Sequence, residues 1–391
     1  MGRPVNYSPI YASRFIYGIN WFSIVPGYII LKHDLSLSSF YIGLLASSFF
    51  IGLMPFQFIG GILASKFGAK NISIIGLLLI GVFTVTCAIP ISISTLIFSR
   101  ILVGIGSAMF SSPALSIISG GSGDISNSGR IGLYNAAFGA GSGTGILGWT
   151  FLDSYLGYEI SMLISGIIAL AMIPGMLFIK SSSIFKDANI NSGEIIKIVS
   201  EKRRWMLGLS VGIAALAEAI VGQLFIYYAE IDGIIGAYAA GLTVAVFFLS
   251  GIIGGIIWGR LMMRMDNHFL LFMSSGIISS LCFLMIAFVY KPYLLILIVI
   301  IMGIFSAGLL SIAYNMIFSI SKNNSMLSFS LGFNNFIQKT IAIASPVVFI
   351  YIAVQYNYKY AWFIFGLIAL AFLLLYPGIW ERKKFSIKYT Q

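Results

Sequence analysis

Three ionisable side chains lie deep inside long apolar stretches of this 391-residue chain: Arg100, Glu218 and Lys339. A charge at the bilayer centre costs about 2.5–3.5 kcal/mol on insertion scales, so such residues persist where they pair or act. Glu218 is the one acid well inside an apolar run. A carboxyl in that position can take up and release a proton, which suits a proton-coupling residue. Arg100 and Lys339 can hold a carboxylate, Arg through its two-pronged fork. Two cations against one acid favour an anionic solute. Buried charges are normally paired, so Glu218 could equally lock onto Arg100 or onto Lys339. Arg14, near the start of the first apolar run, is expected to snorkel toward the headgroups.

Each of these residues shares a helical face with small or polar neighbours. Arg100 aligns with Gly104, Ser107 and Ser111; Glu218 with Ala214, Ala215 and Gly222; Lys339 with Gly332, Asn335, Ala342 and Pro346. Comparable stripes run through Asn20, Ser23 and Gly27, and through Asn135, Gly139 and Ser142.

The elements that must carry these stripes follow from composition. Hydrophobic residues make up 59% and charged residues 9%, against about 45–50% and about 25% in soluble domains. This excludes an ordinary soluble enzyme, a disordered chain and a nucleic-acid binder. A span needs about 20 mostly apolar residues, and twelve such runs occur. They cover approximately 11–32, 40–64, 72–90, 95–119, 130–151, 158–179, 205–229, 237–259, 268–290, 293–320, 328–354 and 360–380. The runs are continuous, unlike the short alternating segments of a membrane barrel. The expected fold is therefore an all-α polytopic membrane protein with twelve transmembrane helices. Cys87 and Cys282 fall inside runs, His33 and His268 at run ends, so neither a disulfide framework nor a metal site is expected, and no cofactor. A channel would want a continuous polar lining or charged ring, and a membrane-embedded enzyme clustered His, Asp or Cys; the sequence supplies neither.

The basic residues give an orientation. With a cytoplasmic N-terminus and alternating runs, 18 of the 23 Lys and Arg fall on the cytoplasmic side, as the positive-inside rule predicts. Both termini are then cytoplasmic, and Asp153, Glu159, Glu230 and Asp232 lie in outer links. The one long link follows the sixth run. It divides the chain into an N-terminal bundle, 1–180, a cytoplasmic linker, 181–204, and a C-terminal bundle, 205–391.

A signature repeats across that division. Gly61, Ser65, Lys66, Gly68 and Lys70 close the second run, and Gly255, Arg260 and Arg264 close the eighth, with the leading Gly and the basic pair both offset by 194 residues. Two six-helix halves in one sense imply a parallel repeat, a pseudo-twofold along the membrane normal.

At these residues the chain resembles the major facilitator superfamily. Gly61, Leu63, Ala64, Lys66, Gly68 and Lys70 are similar to its loop signature, with Ser65 where the family has Asp; the second copy has Gly259 there. Arg100, Gly104 and Gly106 resemble its fourth-span signature. Gly139, Gly143 and Gly148 resemble part of a fifth-span antiporter signature, with Thr144 in place of Pro. The resemblance implies a cytoplasmic gate at the two loop copies. It also implies a shared cavity lined by the polar stripes, with Arg100, Lys339, Asn20, Asn135 and Asn335 as substrate-binding candidates and Glu218 as the proton-coupling residue. The expectation is a monomeric, multi-pass secondary active transporter of the cytoplasmic membrane, not an enzyme. It would move a small organic solute, anionic by the charge count, by alternating access coupled to protons. The alternative is a proton/drug antiporter exporting lipophilic or cationic compounds.

Overall fold

The computed structural model describes residues 6–119, 126–179, 192–265, 267–320 and 324–380. Asp124, Lys322, the first part of the linker and the tail 381–391 lie outside the described residues, as does the side chain of Ser65. The described residues form seventeen helices and no strand.

The chain divides into two compact units, Met1–Asn189 with Ala237–Ala245, and Ile190–Gly236 with Val246–Gln391. The first unit contains α1 (Ser8–Trp21), α2 (Tyr28–Asp34), α3 (Ser39–Phe67), α4 (Ala69–Cys87), α5 (Ile93–Ser119), α6 (Ser126–Leu156), α7 (Tyr158–Leu170) and α8 (Ile173–Leu177). The remaining helices are α9 (Ser192–Ser200), α10 (Lys202–Ser210), α11 (Gly212–Ile231), α12 (Ala237–Arg264), α13 (His268–Ile286), α14 (Pro292–Ile320), α15 (Asn324–Gln355), α16 (Tyr358–Leu373) and α17 (Pro377–Trp380).

Nine described stretches are long and apolar enough to cross a membrane. The other three predicted spans are the interrupted α1–α2 segment, the glycine-rich α6 and the 16-residue α16. The unbroken runs expected at 11–32, 158–179 and 205–229 are each interrupted. In the first, residues 22–27 turn through bonds three residues apart, among them Val25 N–H to the Phe22 carbonyl at 3.1 Å and Gly27 N–H to the Ile24 carbonyl at 3.1 Å. Pro26 explains the break, because it cannot donate inside an α-helix. In the second, Pro174 falls at the first turn of α8, the position where its missing N–H costs nothing. The third starts three residues before its predicted edge and pauses at Val211, between α10 and α11. The second part of the expected linker is also helical, as α9 and the start of α10.

Close helix contacts hold the first unit together. Without water to drive apolar association, membrane helices pack through small residues that let backbones approach. A Cβ at Gly104 would collide with the Phe49 carbonyl of α3, and one at Gly106 would lie 2.7 Å from the Gly76 carbonyl of α4. The fourth-span glycine pair thus seats α5 against two neighbours. Helices α1 and α6 meet likewise, with a Gly18 Cβ falling 2.5 Å from the Phe138 carbonyl. In the second unit α11 is enclosed almost completely, every residue from Gly212 to Ala229 being buried except Glu218. Its C-terminal half packs in a ring cluster where Phe225, Tyr228, Phe349 and Trp362 meet at centroid separations of 5.0–6.2 Å.

Candidate functional site

The two intramembrane groups of the second unit are brought together. Lys339 of α15 donates to Glu218 Oε2 of α11 at 2.6 Å, with 12% and 20% of the respective side chains exposed. Of the two pairings open in the sequence, the structure holds this one. The contact is a charge-assisted hydrogen bond of the strong, short kind. Both partners keep some exposed surface. One turn before Lys339, Asn335 accepts a hydrogen bond from the Tyr314 hydroxyl of α14 at 2.8 Å. Asn334 and Gln338, which sequence reasoning missed, are buried on the same helix. Both side-chain polar atoms of Asn334 and the Nε2 of Gln338 lack a hydrogen-bond partner. Their four-residue spacing beside Asn335 and Lys339 was the available signal.

Arg100 lies in the first unit and is sealed, at 1% exposure. Its Nη2 donates to the Trp21 carbonyl at 3.4 Å, its guanidinium lies 4.9 Å from the Phe49 ring centroid, and its Nε has no acceptor. No acid pairs with it among the described residues. Asn20 is buried and fully engaged in bracing. It donates to the Ser165 hydroxyl at 2.8 Å and the Ser165 carbonyl at 3.1 Å, and accepts from Thr84 at 2.9 Å, tying α1 to α4 and α7. Asn135 is exposed on α6.

Arg14 does not snorkel. Its guanidinium turns inward among Tyr17, Tyr134 and Phe138, 4.4–4.6 Å from each ring centroid. The aromatic spacing on α6, four residues from Tyr134 to Phe138, could have revealed this face. Asp153, expected in an outer link, is instead 7% exposed in the last turn of α6, and neither carboxylate oxygen has a hydrogen-bond donor.

The first copy of the loop signature forms a tight corner. Gly68 joins α3 to α4 at φ +89° and ψ 132°, a conformation essentially confined to glycine. Lys70 then reaches the Leu177 carbonyl at the end of α8, 2.5 Å away, satisfying a helix C-terminus with a cation. Lys66 and Gly61 are exposed. The second copy is built differently. Helix α12 runs unbroken through Gly255 and Arg260 to Arg264, and Met265 follows in an extended conformation. Arg260 and Arg264 are exposed. The repeat therefore preserves the small and basic positions but not the glycine corner.

Six predicted spans precede the linker and six follow it, the eighth being shared between the two compact units, and ionisable groups sit inside them; that is the architecture of a six-plus-six membrane transporter. A family model described as Major Facilitator Superfamily matches residues 10–288 and 207–386. The chain belongs to the major facilitator superfamily, whose members are secondary transporters. No curated protein matches it by sequence. Among the solved structures that match is a bacterial homolog of the human lysosomal transporter Spinster, in an inward-facing and occupied conformation. The likeness has a TM-score of 0.72 at 14% identity and covers 95% of each chain; it speaks to the fold.

Proposed function

We propose that this protein is a proton-coupled secondary active transporter that moves a small organic anion across the cytoplasmic membrane by alternating access. The observation that carries the reading is the Lys339–Glu218 contact of 2.6 Å. A titratable acid joined to a cation within the spans is a device that protonation can open. Glu218 is assigned the coupling proton, and Lys339, once released, an anionic group of the substrate. Asn335 adds a polar group one turn away. Arg100, held without an acid partner among the described residues, biases the first unit toward negative solutes. Lys66, Lys70, Arg260 and Arg264, with Gly61, Gly68, Ser65 and Gly255, form the cytoplasmic gate in this reading. The protein works as a monomer with both termini cytoplasmic.

The test is uptake of small carboxylates into proteoliposomes under an imposed pH gradient. Wild type should accumulate an anion uphill, and Glu218→Gln should still exchange it without concentrating it. Uphill accumulation by Glu218→Gln would remove that residue from coupling. Uptake of lipophilic cations in place of carboxylates would transfer the protein to the drug-antiporter reading.

A further inference from the structure

The intramembrane cations differ in what they have left to offer a ligand. Lys339 is already joined to Glu218. Arg100 is shut away at 1% exposure. Arg14 is neither neutralised nor sealed. It lies on α1 four residues before Gly18, whose Cβ position faces the Phe138 carbonyl, so its side chain enters the α1–α6 interface. The Tyr134 hydroxyl donates to the Ser111 carbonyl of α5 at 2.7 Å, bringing a third helix to the same spot. The residue is only partly buried, yet its Nε and Nη1 are enclosed without any acceptor. No acid forms an ion pair with it among the described residues.

A guanidinium stays charged at any pH the cell reaches. Ring faces attract it, but they accept no hydrogen bond of comparable strength, and buried donors without acceptors are costly. The group that would complete this arrangement is an oxyanion, which supplies both a countercharge and several acceptor lone pairs. The rings add flat apolar walls for whatever carbon skeleton carries it.

We propose that Arg14, framed by Tyr17, Tyr134 and Phe138, is an oxyanion-recognition residue of the N-terminal unit, taking a carboxylate or phosphate group. The inference rests on the anion reading above and adds a binding residue to it.

The experiment is thermal unfolding of the purified full-length protein in neutral detergent. Acetate and inorganic phosphate are titrated against chloride at equal ionic strength, since a ligand of the folded state stabilises by mass action. Wild type should be stabilised by at least one oxyanion. Arg14→Gln should require at least about tenfold more of it, the loss expected when a charged hydrogen-bonding partner is removed. Arg14→Lys, which keeps the charge but not the fork, is the second variant if Arg14→Gln does not fold, and it should show a smaller weakening. An unchanged response in the folded Arg14 variants overturns the proposal. If that response is lost instead in Arg100→Gln with Lys339→Gln, the anion reading survives without Arg14. If no oxyanion stabilises wild type, both fall. A parallel arm in micelles containing phosphatidylglycerol separates sources. Arg14-dependent stabilisation by that lipid alone supports a phosphate site filled by a headgroup, and stabilisation by the soluble ions supports one filled by solute.

Discussion

Lys339 Nζ and Glu218 Oε2 are 2.6 Å apart across the contact between α15 and α11. Removing one partner of a buried pair costs about 3–5 kcal/mol, whereas replacing both by apolar groups is often neutral. The partial exposure here reduces that range, so Glu218→Gln and Lys339→Met should each lower stability by about 1–3 kcal/mol. The double variant should be less destabilised than the sum of the two. Thermal unfolding of the three purified variants closes the cycle, and strict additivity would show that the pair contributes no coupling.

Gly104 is predicted to be intolerant of any side chain. Its Cβ would meet the backbone carbonyl of Phe49, which cannot rotate away. Gly104→Ala should therefore cost about 1–3 kcal/mol through overpacking. Gly148 sits in open space, and Gly148→Ala should be neutral or stabilising by up to about 1 kcal/mol from helix propensity. Equal unfolding temperatures for the two variants would contradict the packing seen at Gly104.

The two loop copies should respond differently to mutation. At Gly68 the backbone angle of φ +89° disfavours every other residue. Gly68→Ala is expected to lose about 1–3 kcal/mol. Gly255 and Gly259 occupy helical positions with ordinary space around them, so alanine there should change stability by less than about 1 kcal/mol. Melting curves of the three variants decide it.

Arg204 is a buried anchor. Its Nε donates to Glu201 Oε2 at 2.7 Å and its Nη1 to the Ser330 hydroxyl of α15 at 2.6 Å. The Glu201 side chain is 38% exposed, so Glu201→Gln should cost at most about 1 kcal/mol. Arg204→Gln should cost about 1.5–3 kcal/mol by removing hydrogen bonds made by a charged group. Thermal unfolding ranks the two.

Asp153 is enclosed with no donor on either oxygen. A buried polar group without partners is unfavourable, and a charged one more so. Asp153→Asn should raise the unfolding temperature at alkaline pH, because it removes the charge at nearly constant volume. A lowered temperature would mean that the carboxylate is satisfied in solution by groups that asparagine cannot match, such as bound water.

Much of the fold was legible because hydropathy is a local property. A run such as 237–259 or 293–320 is apolar over its whole length, and the bilayer leaves a helix as the one way to satisfy its backbone. Breaks were less legible. Pro26 and Pro174 interrupt their runs, while Pro55, Pro113 and Pro346 sit inside continuous helices. A proline's effect depends on whether neighbouring helices hold the flanking turns in line, and the sequence does not record that.

The sequence by itself determined the class: an all-helical membrane protein with two related halves and a few charges inside its spans. The tertiary structure decided what those charges do. Which cation meets Glu218 depends on how α11 and α15 are rotated about their axes, and it proved to be Lys339. Asn20 stands on a polar stripe that could have faced a cavity, but the crossing of α1 with α4 and α7 engages it as a brace. Arg14 had a long enough side chain to reach the headgroups, and the rings of α6 drew it inward. Periodicity along one helix fixes which residues share a face. The partner that face meets is set by close backbone contacts between segments more than a hundred residues apart, as at Gly18 and Phe138.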